Sequence, residues 1–286
     1  MISLIIPTYN RASVLSKTLS SYVRQEYVDE IIIVDDASTD STREVIMGLK
    51  CGTSIRYIRH SSQKGAAKAR LTGIKESKNQ YVAFGEDDVV FDQNYIGKLY
   101  YDMENTNADI IAGRIIYLKE NETYPDALIR CNNMKTKLID YNLFVGHFGV
   151  DLPAPIEVPF VHACFLAKKE IYSEIEYDVD YPKNGYREET DPQILALKKG
   201  KKIIFTPNAY CYHLPRSQAH TGGQRTMSEF GYAYWTIRNN TRFLMKHHLF
   251  LAKRYNLRSL PVMILHATIY NLISMFYQIA KKVRWG

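Results

Sequence analysis

Short apolar runs separated by stretches of helical spacing mark the first third of the chain. Ile2–Ile6, broken only by Ser3, closes at Pro7, and Ile31–Val34, Ile55–Ile58 and Tyr81–Phe84 repeat the pattern. Runs of this length bounded by turn residues read as strands buried on both faces. Between them, Val14, Leu15, Thr18 and Leu19 fall at helical spacing behind a candidate cap at Ser13. A second helix is expected from Thr39 or Asp40 to about Leu49, and a third from Lys64 to Glu76. The alternation continues with a helix from Asn94 to about Glu104 and a strand over Ile110–Tyr117. Strand and helix in strict alternation predict an α/β fold with a mostly parallel sheet covered on both faces.

Ligands of such sheets bind beyond the carboxyl ends of the strands. Thr8–Arg11, Asp35–Asp36 and Glu86–Asp88 all fall at that edge. From Lys119 to about Pro159 the pattern loosens into polar residues, Pro153, Pro155 and the aromatic stretch Phe144–Phe148. Phe160–Ala167 reads as a strand returning to the core, with His162 as a packed core histidine. A helix over Gln193–Lys199 stops at Gly200, a strand follows at Lys201–Phe205, and Pro207 leads to Tyr210–His213.

Composition narrows the picture only a little. The 286 residues, 46% hydrophobic and 23% charged, suit one large domain with or without an appendage. A net charge of +7 favours anionic partners such as nucleotide phosphates or lipid headgroups, but the basic residues are spread along the chain, which speaks against nucleic acid. Cys51, Cys131, Cys164 and Cys211 are scattered without a C-x-x-C pair and read as reduced packing thiols. No basic segment with a long apolar stretch precedes Ile2, so a cytoplasmic protein is expected. Neither G-x-G-x-x-G nor G-x-x-x-x-G-K-[ST] occurs, which argues against a dinucleotide enzyme or a P-loop NTPase.

The candidate chemistry begins with Glu86, Asp87 and Asp88. Neighbouring carboxylates repel one another and are costly to bury unpaired, so this turn wants a divalent metal or several Lys/Arg, unless it is simply solvated. Ile5–Arg11, Val34–Asp40, Gly65–Arg70 and Glu86–Asp88 resemble, in order and spacing, the motifs of family 2 glycosyltransferases with the GT-A fold. The resemblance covers roughly residues 2–215. It implies transfer of a sugar, with inversion, from a nucleotide-diphosphate donor that is usually UDP-linked, to a glycan or lipid-linked saccharide, with Mn2+ or Mg2+ as cofactor.

Carried onto this sequence, Pro7, Tyr9 and Arg11 would line the nucleotide pocket, Asp36 would accept a hydrogen bond from the base, and Arg70 would lie beside the nucleotide. Asp88 would ligate the metal and Asp87 would face the donor sugar or ribose. Glu86 departs from the pattern by one methylene, and either ligates the metal or only adds charge behind it. Gly185–Pro192 resembles the motif that supplies the base for the acceptor hydroxyl. Glu189 is the first choice, Asp191 the second and Glu188 the third, although Asp191 before Pro192 also fits a helix N-cap. His213 would be a third metal ligand.

Residues 1–215 would thus form the catalytic domain, with 1–118 as its donor half and 119–215 as its acceptor half. Residues 216–286 would add a basic loop (Arg216, His220, Gly222, Gly223, Arg225) closing over the diphosphate, followed by an amphipathic helical segment. In that segment Phe230–His248 reads as a helix, and Leu260–Ala280 as an apolar one, ~20 residues long, with a polar stripe of Asn271, Ser274 and Gln278. Basic flanks and Trp285 predict peripheral contact with the inner face of a membrane, with an oligomer interface as the other reading. Two further functions stay open at this point: a nucleotidyltransferase on a similar sheet, and a nucleotide-sugar-binding protein without catalysis.

Overall fold

A computed structural model describes residues 1–49, 52–219 and 227–285. The expectations for Cys51, His220, Gly222, Gly223 and Arg225 lie outside these residues. The first half alternates as β1 (Ile2–Thr8), α1 (Ala12–Tyr22), β2 (Val28–Asp35), α2 (Thr42–Met47), β3 (Ser54–Arg59), α3 (Ala66–Glu76) and β4 (Tyr81–Phe84). Next come β5 (Val89–Phe91), α4 (Tyr95–Thr106), β6 (Ile110–Tyr117), α5 (Tyr124–Asn132), β7 (Ile139–Asp140), β8 (Val145–Gly146), β9 (Ile156–Glu157), β10 (Leu166–Lys168) and α6 (Ile171–Glu174). The chain ends with α7 (Thr190–Lys198), β11 (Ile203–His213), α8 (Glu229–Tyr255) and α9 (Leu260–Trp285).

One sheet runs β3-β2-β1-β4-β10-β6-β11-β5, with β9 on the side of β11. β1 to β4 are parallel, and so are β6 and β11, while β10 is antiparallel between β4 and β6. This is the expected mostly parallel α/β sheet. Ile31, Ile32, Ile33 and Val34 are all fully buried, as a strand covered by helices on both faces requires. Because β1, β2, β4 and β11 point the same way, Thr8, Asp35, Glu86–Asp88 and His213 share one edge. Tyr117, at the end of β6, pairs with His213 in register.

The structure departs from the sequence reading in two places that matter for the site. The expected strand over Phe160–Ala167 is reduced to β10, because His162 diverts its own neighbourhood. Its Nε2 donates to the Gly113 carbonyl (2.9 Å) and its Nδ1 accepts from the Cys164 amide (3.2 Å), replacing ladder bonds. Conversely, β11 runs on through Pro207, with a register shift between Phe205 and Tyr210. Proline, which has no N–H, is tolerated at such an irregularity.

The C-terminal helices are fastened to the sheet domain. Phe243, Leu244 and Leu251 of α8 and Met263 of α9 belong to the main core. Asp191, in the first turn of α7, is fully buried and accepts from His247 Nε2 (2.7 Å), Lys246 Nζ (2.8 Å) and the Tyr181 hydroxyl (2.8 Å). Burial pushes the Asp191 pKa up, but the bonds from His247 and Lys246 outweigh it and hold the carboxylate below its ordinary range.

Asp191→Ala should therefore strip three buried or half-buried donors of their common acceptor and cost about 3 kcal/mol of stability. The check is a lowered urea midpoint at unchanged slope. Because the folded pKa of Asp191 is depressed, its contribution is fully present above the unfolded value of about 3.9 and is lost as pH falls through the folded pKa. The gap between wild type and variant should accordingly shrink in acid; a gap constant down to pH 2 would refute this account.

Candidate active site

The loops at the carboxyl edge enclose a cavity of about 390 Å3. Pro7, Tyr9, Arg11, Asp36, Arg70, Glu86, Asp87, Asp88 and Glu188 all line it, so the structure brings together the whole set assigned to the nucleotide-sugar from sequence. His213 stands just beyond, on the other side of Glu86 and Asp88. Glu189 and Asp191 are not part of the lining.

Local hydrogen bonding explains how these loops hold their shape. Asp40 accepts from the Ala12 amide (3.0 Å) and the Thr42 amide (3.1 Å), so one carboxylate ties down the starts of α1 and α2. Asp36 accepts from His60 Nδ1 (2.7 Å), the Lys64 amide (2.8 Å) and the Gly65 amide (2.7 Å). Gly65 has φ +91°, where a side chain would be strained, and the turn it makes launches α3 toward the cavity. Three of the roughly four acceptor directions of Asp36 are thus already used by the protein itself.

The acidic turn is held from beneath by α1. Thr18 and Tyr22 donate their hydroxyls to the carbonyls of Asp87 (3.0 Å) and Glu86 (2.6 Å). Its charge is met by two buried arginines. Arg11 places Nε 3.3 Å from Asp87 and a terminal nitrogen 3.3 Å from Asp88, while its other terminal nitrogen donates to the Ala219 carbonyl at 2.9 Å. Arg11 therefore lines the pocket with its guanidinium turned to the acids. Arg70 pairs with Glu188 and lies 3.6 Å from Glu86, leaving its buried Nε without a partner among the described residues.

Glu86, Asp88 and His213 each offer one ligand atom, all within 4.8 Å of one another. His213 Nδ1 donates to the Leu214 carbonyl (2.9 Å), and the ring stacks on Tyr117 with centroids 4.7 Å apart. This fixes the tautomer so that the Nε2 lone pair faces Asp88 Oδ1 at 3.5 Å. Two carboxylates with an oriented imidazole form a donor set that suits a divalent cation such as Mn2+. The residues fit the group, and Glu86 contributes one of the three ligand-capable atoms. Burial, then the charge of Asp88, raises the Glu86 pKa, as expected of a carboxylate gathered beside others.

The second acidic cluster divides into three different environments. Glu188 is buried against Arg70; burial raises its pKa to about 7 even though Arg70 pulls it down. Asp191 is sealed beneath α8, which corrects both of its expected roles. It has no exposed surface from which to take a proton, and α7 begins at Thr190, so Asp191 lies inside the helix and does not cap it. Glu189 is half-buried at the start of α7, and its carboxylate makes no hydrogen bond or ion pair among the described residues. Tyr117, at the end of β6, is exposed and stacks on His213.

A second cluster with metal-ligand chemistry, His162, Cys164 and Cys211, lies in the core. Both His162 nitrogens are spent on backbone groups, and burial lowers its pKa to about 4, so the ring serves as a packed core histidine. Sequence reasoning missed Tyr117 and the segment from Val179 to Asn184 that walls the cavity. The available signal for Tyr117 was its place at the end of an apolar strand on the ligand edge; the segment carries no motif.

The sequence profile of glycosyl transferase family 2 matches residues 3–175. Among curated relatives, glycosyltransferase GlyG of Streptococcus pneumoniae is 24% identical, over 74% of this chain and 70% of its own length. The Escherichia coli UDP-Glc:alpha-D-GlcNAc-diphosphoundecaprenol beta-1,3-glucosyltransferase WfgD is 27% identical, over 57% of this chain and 65% of its own. Among solved structures, Staphylococcus aureus TarS in complex with UDP-GlcNAc superposes with a TM-score of 0.61 at 14% identity, covering 85% of this chain and 66% of TarS. GalNAc-T7 with UDP, GalNAc and Mn2+ gives 0.61 at 16% identity, over 86% of this chain and 47% of that one. Apart from GlyG, this chain spans under two thirds of each of these proteins. At such identities the structural likeness shows the fold, which is GT-A. The chain belongs to glycosyl transferase family 2 and is a glycosyltransferase.

Proposed function

We propose that this enzyme moves a sugar, with inversion, from a UDP-linked donor to a hydroxyl of a glycan or lipid-linked saccharide. The observation that carries the reading is the continuity of the cavity: it joins the Pro7–Arg11 and Asp36 loops at one end to Glu86–Asp88 at the other, with His213 beside them. The relatives support it by name, since WfgD takes UDP-glucose to a diphosphoundecaprenol-linked sugar and TarS holds UDP-GlcNAc. Glu86, Asp88 and His213 would hold Mn2+ or Mg2+, which supplies Lewis-acid stabilisation of the charge on the departing diphosphate. Arg70, whose Nε has no partner among the described residues, adds a positive charge to the same wall. Glu189 takes the proton of the acceptor hydroxyl as its oxygen bonds to the anomeric carbon, and the bond to UDP breaks with the electron pair leaving on the diphosphate.

The same reading places the enzyme at the cytoplasmic face of a membrane. α9 is long and apolar enough over Leu260–Lys281 to cross a bilayer by length and composition, yet it packs along α8. Leu265, Ile269, Ile273 and Phe276 are all exposed on it. Lys253, Arg254 and Arg258 precede it, a charge pattern that suits anionic headgroups.

Slow release of UDP from a UDP-sugar, dependent on Mn2+ or Mg2+, should disappear in Asp88→Ala. Glu189→Gln should lower kcat for transfer by about 10²–10⁴ with little change in the donor KM. Pyrophosphate formation from a sugar phosphate and a nucleoside triphosphate would replace this reading with a nucleotidyltransferase. Sedimentation with anionic vesicles at moderate salt should be strong for the wild type and largely lost in the double variant Ile273→Asp/Phe276→Asp; equal sedimentation of the two would remove the membrane assignment.

A further inference from the structure

α9 is seated on a few apolar side chains and leaves many others exposed. Met263, Ala267 and Met275 are buried, and Leu272, Ile273, Phe276 and Tyr277 are exposed. The polar stripe, with Asn271 half-buried and Ser274 and Gln278 exposed, borders a cavity of about 490 Å3. Tyr117, His213 and Arg216 form other parts of the same wall. His213 belongs to the metal-ligand cluster, so this second cavity meets the donor cavity at the Glu86–Asp88–His213 group.

The chemistry of the lining identifies an occupant. Among the described residues, Ser274 and Gln278 make no side-chain hydrogen bond, and Asn271 spends only its Nδ2 donor, on the Ala267 carbonyl at 2.7 Å. Amides and a hydroxyl offer donors and acceptors side by side, which matches the hydroxyls of a sugar, and the face of an aromatic ring such as Tyr117 suits the apolar face of a pyranose. Arg216 is paired with Glu229 at 3.0 Å, so its charge is already met and the wall favours a neutral ring over an anion. We propose that this cavity seats the sugar end of a membrane-anchored acceptor, with Asn271, Ser274 and Gln278 binding its hydroxyls while the outer face of α9 lies in the bilayer that holds its lipid. The inference rests on the glycosyltransferase reading and names the acceptor class for that site. It also moves part of the acceptor site from residues 119–215, where the sequence reading put it, to the last helix.

Saturation-transfer NMR with dodecyl β-D-glucopyranoside below its micelle concentration tests the assignment without relying on turnover. In the wild type the sugar protons should be saturated about as strongly as the alkyl protons. In Ser274→Leu/Gln278→Leu the sugar signal should fall about fivefold, the scale of one net hydrogen bond or more, while the alkyl signal persists. Ser274→Ala/Gln278→Ala, which adds no bulk, should shift the ratio the same way by a smaller factor, and circular dichroism verifies that each variant is folded. Weak sugar saturation in the wild type, or a ratio unchanged in folded variants, overturns the proposal. UDP release from a UDP-sugar, measured on the wild type without acceptor, judges the enzymatic reading separately: its absence with strong sugar saturation would remove that reading and leave the cavity as a sugar site.

Discussion

Everything at the carboxyl edge of the sheet answers to one electrostatic constraint, the gathering of carboxylates in a partly dry cleft. Ligand atoms of Glu86 and Asp88 lie within 4.8 Å of one another, where two like charges repel by about 3.5 kcal/mol at an effective dielectric of 20. Asp87 and Glu188 add to the crowd. The fold meets this with two buried cations that each bridge distant parts of the chain. Arg11 ties the loop after β1 to the turn after β4 and to the Ala219 carbonyl, and Arg70 ties α3 to the segment before α7. Neutralising the acids and aligning the loops are therefore one act. Removing either arginine would leave buried carboxylates unpaired, which costs more than the pair itself contributes.

The same constraint explains why His213 sits where it does. With Arg11 on one oxygen of Asp88, the other is turned to His213. An imidazole whose Nδ1 proton is committed to a backbone carbonyl adds no charge of its own and leaves a lone pair on that side. Arg11 compensates Asp87 and Asp88 and Arg70 lies by Glu86, while Glu86, Asp88 and His213 together offer a donor set of the kind that suits a divalent cation.

Much of this was legible in the sequence because central parallel strands are buried on both faces and so write themselves as unbroken apolar runs. β1, β2 and β4 were found in that way, and the acidic turn followed from its place after β4. The signal failed where structure depends on partners far along the chain. α5 and the two-residue strands between Asn133 and Glu157 have too little periodicity to stand out. Asp191 shows the limit most clearly: its motif spacing is that of a catalytic carboxylate, but Lys246 and His247, 55 and 56 residues later, convert it into an anchor. Glu188 and Glu189, adjacent in sequence, differ as much, since one is claimed by Arg70 and the other by nothing among the described residues.

That anchor has a geometric consequence for the enzyme as a whole. Asp191 fixes α8 to the first turn of α7, and α7 begins at the residue after Glu189. α9 packs along α8, so its apolar face, its polar stripe and the carboxylate assigned as base are linked through a short, buried chain of contacts. A loosely tethered helix would bind a membrane just as well but would leave the orientation of the cleft to chance. Burying the anchor under a charged, hydrogen-bonded network makes the orientation part of the fold. On the proposed reading, an acceptor approaching along α9 would meet the wall that holds Tyr117 and His213, and not the opposite wall that holds Pro7–Arg11 and Asp36.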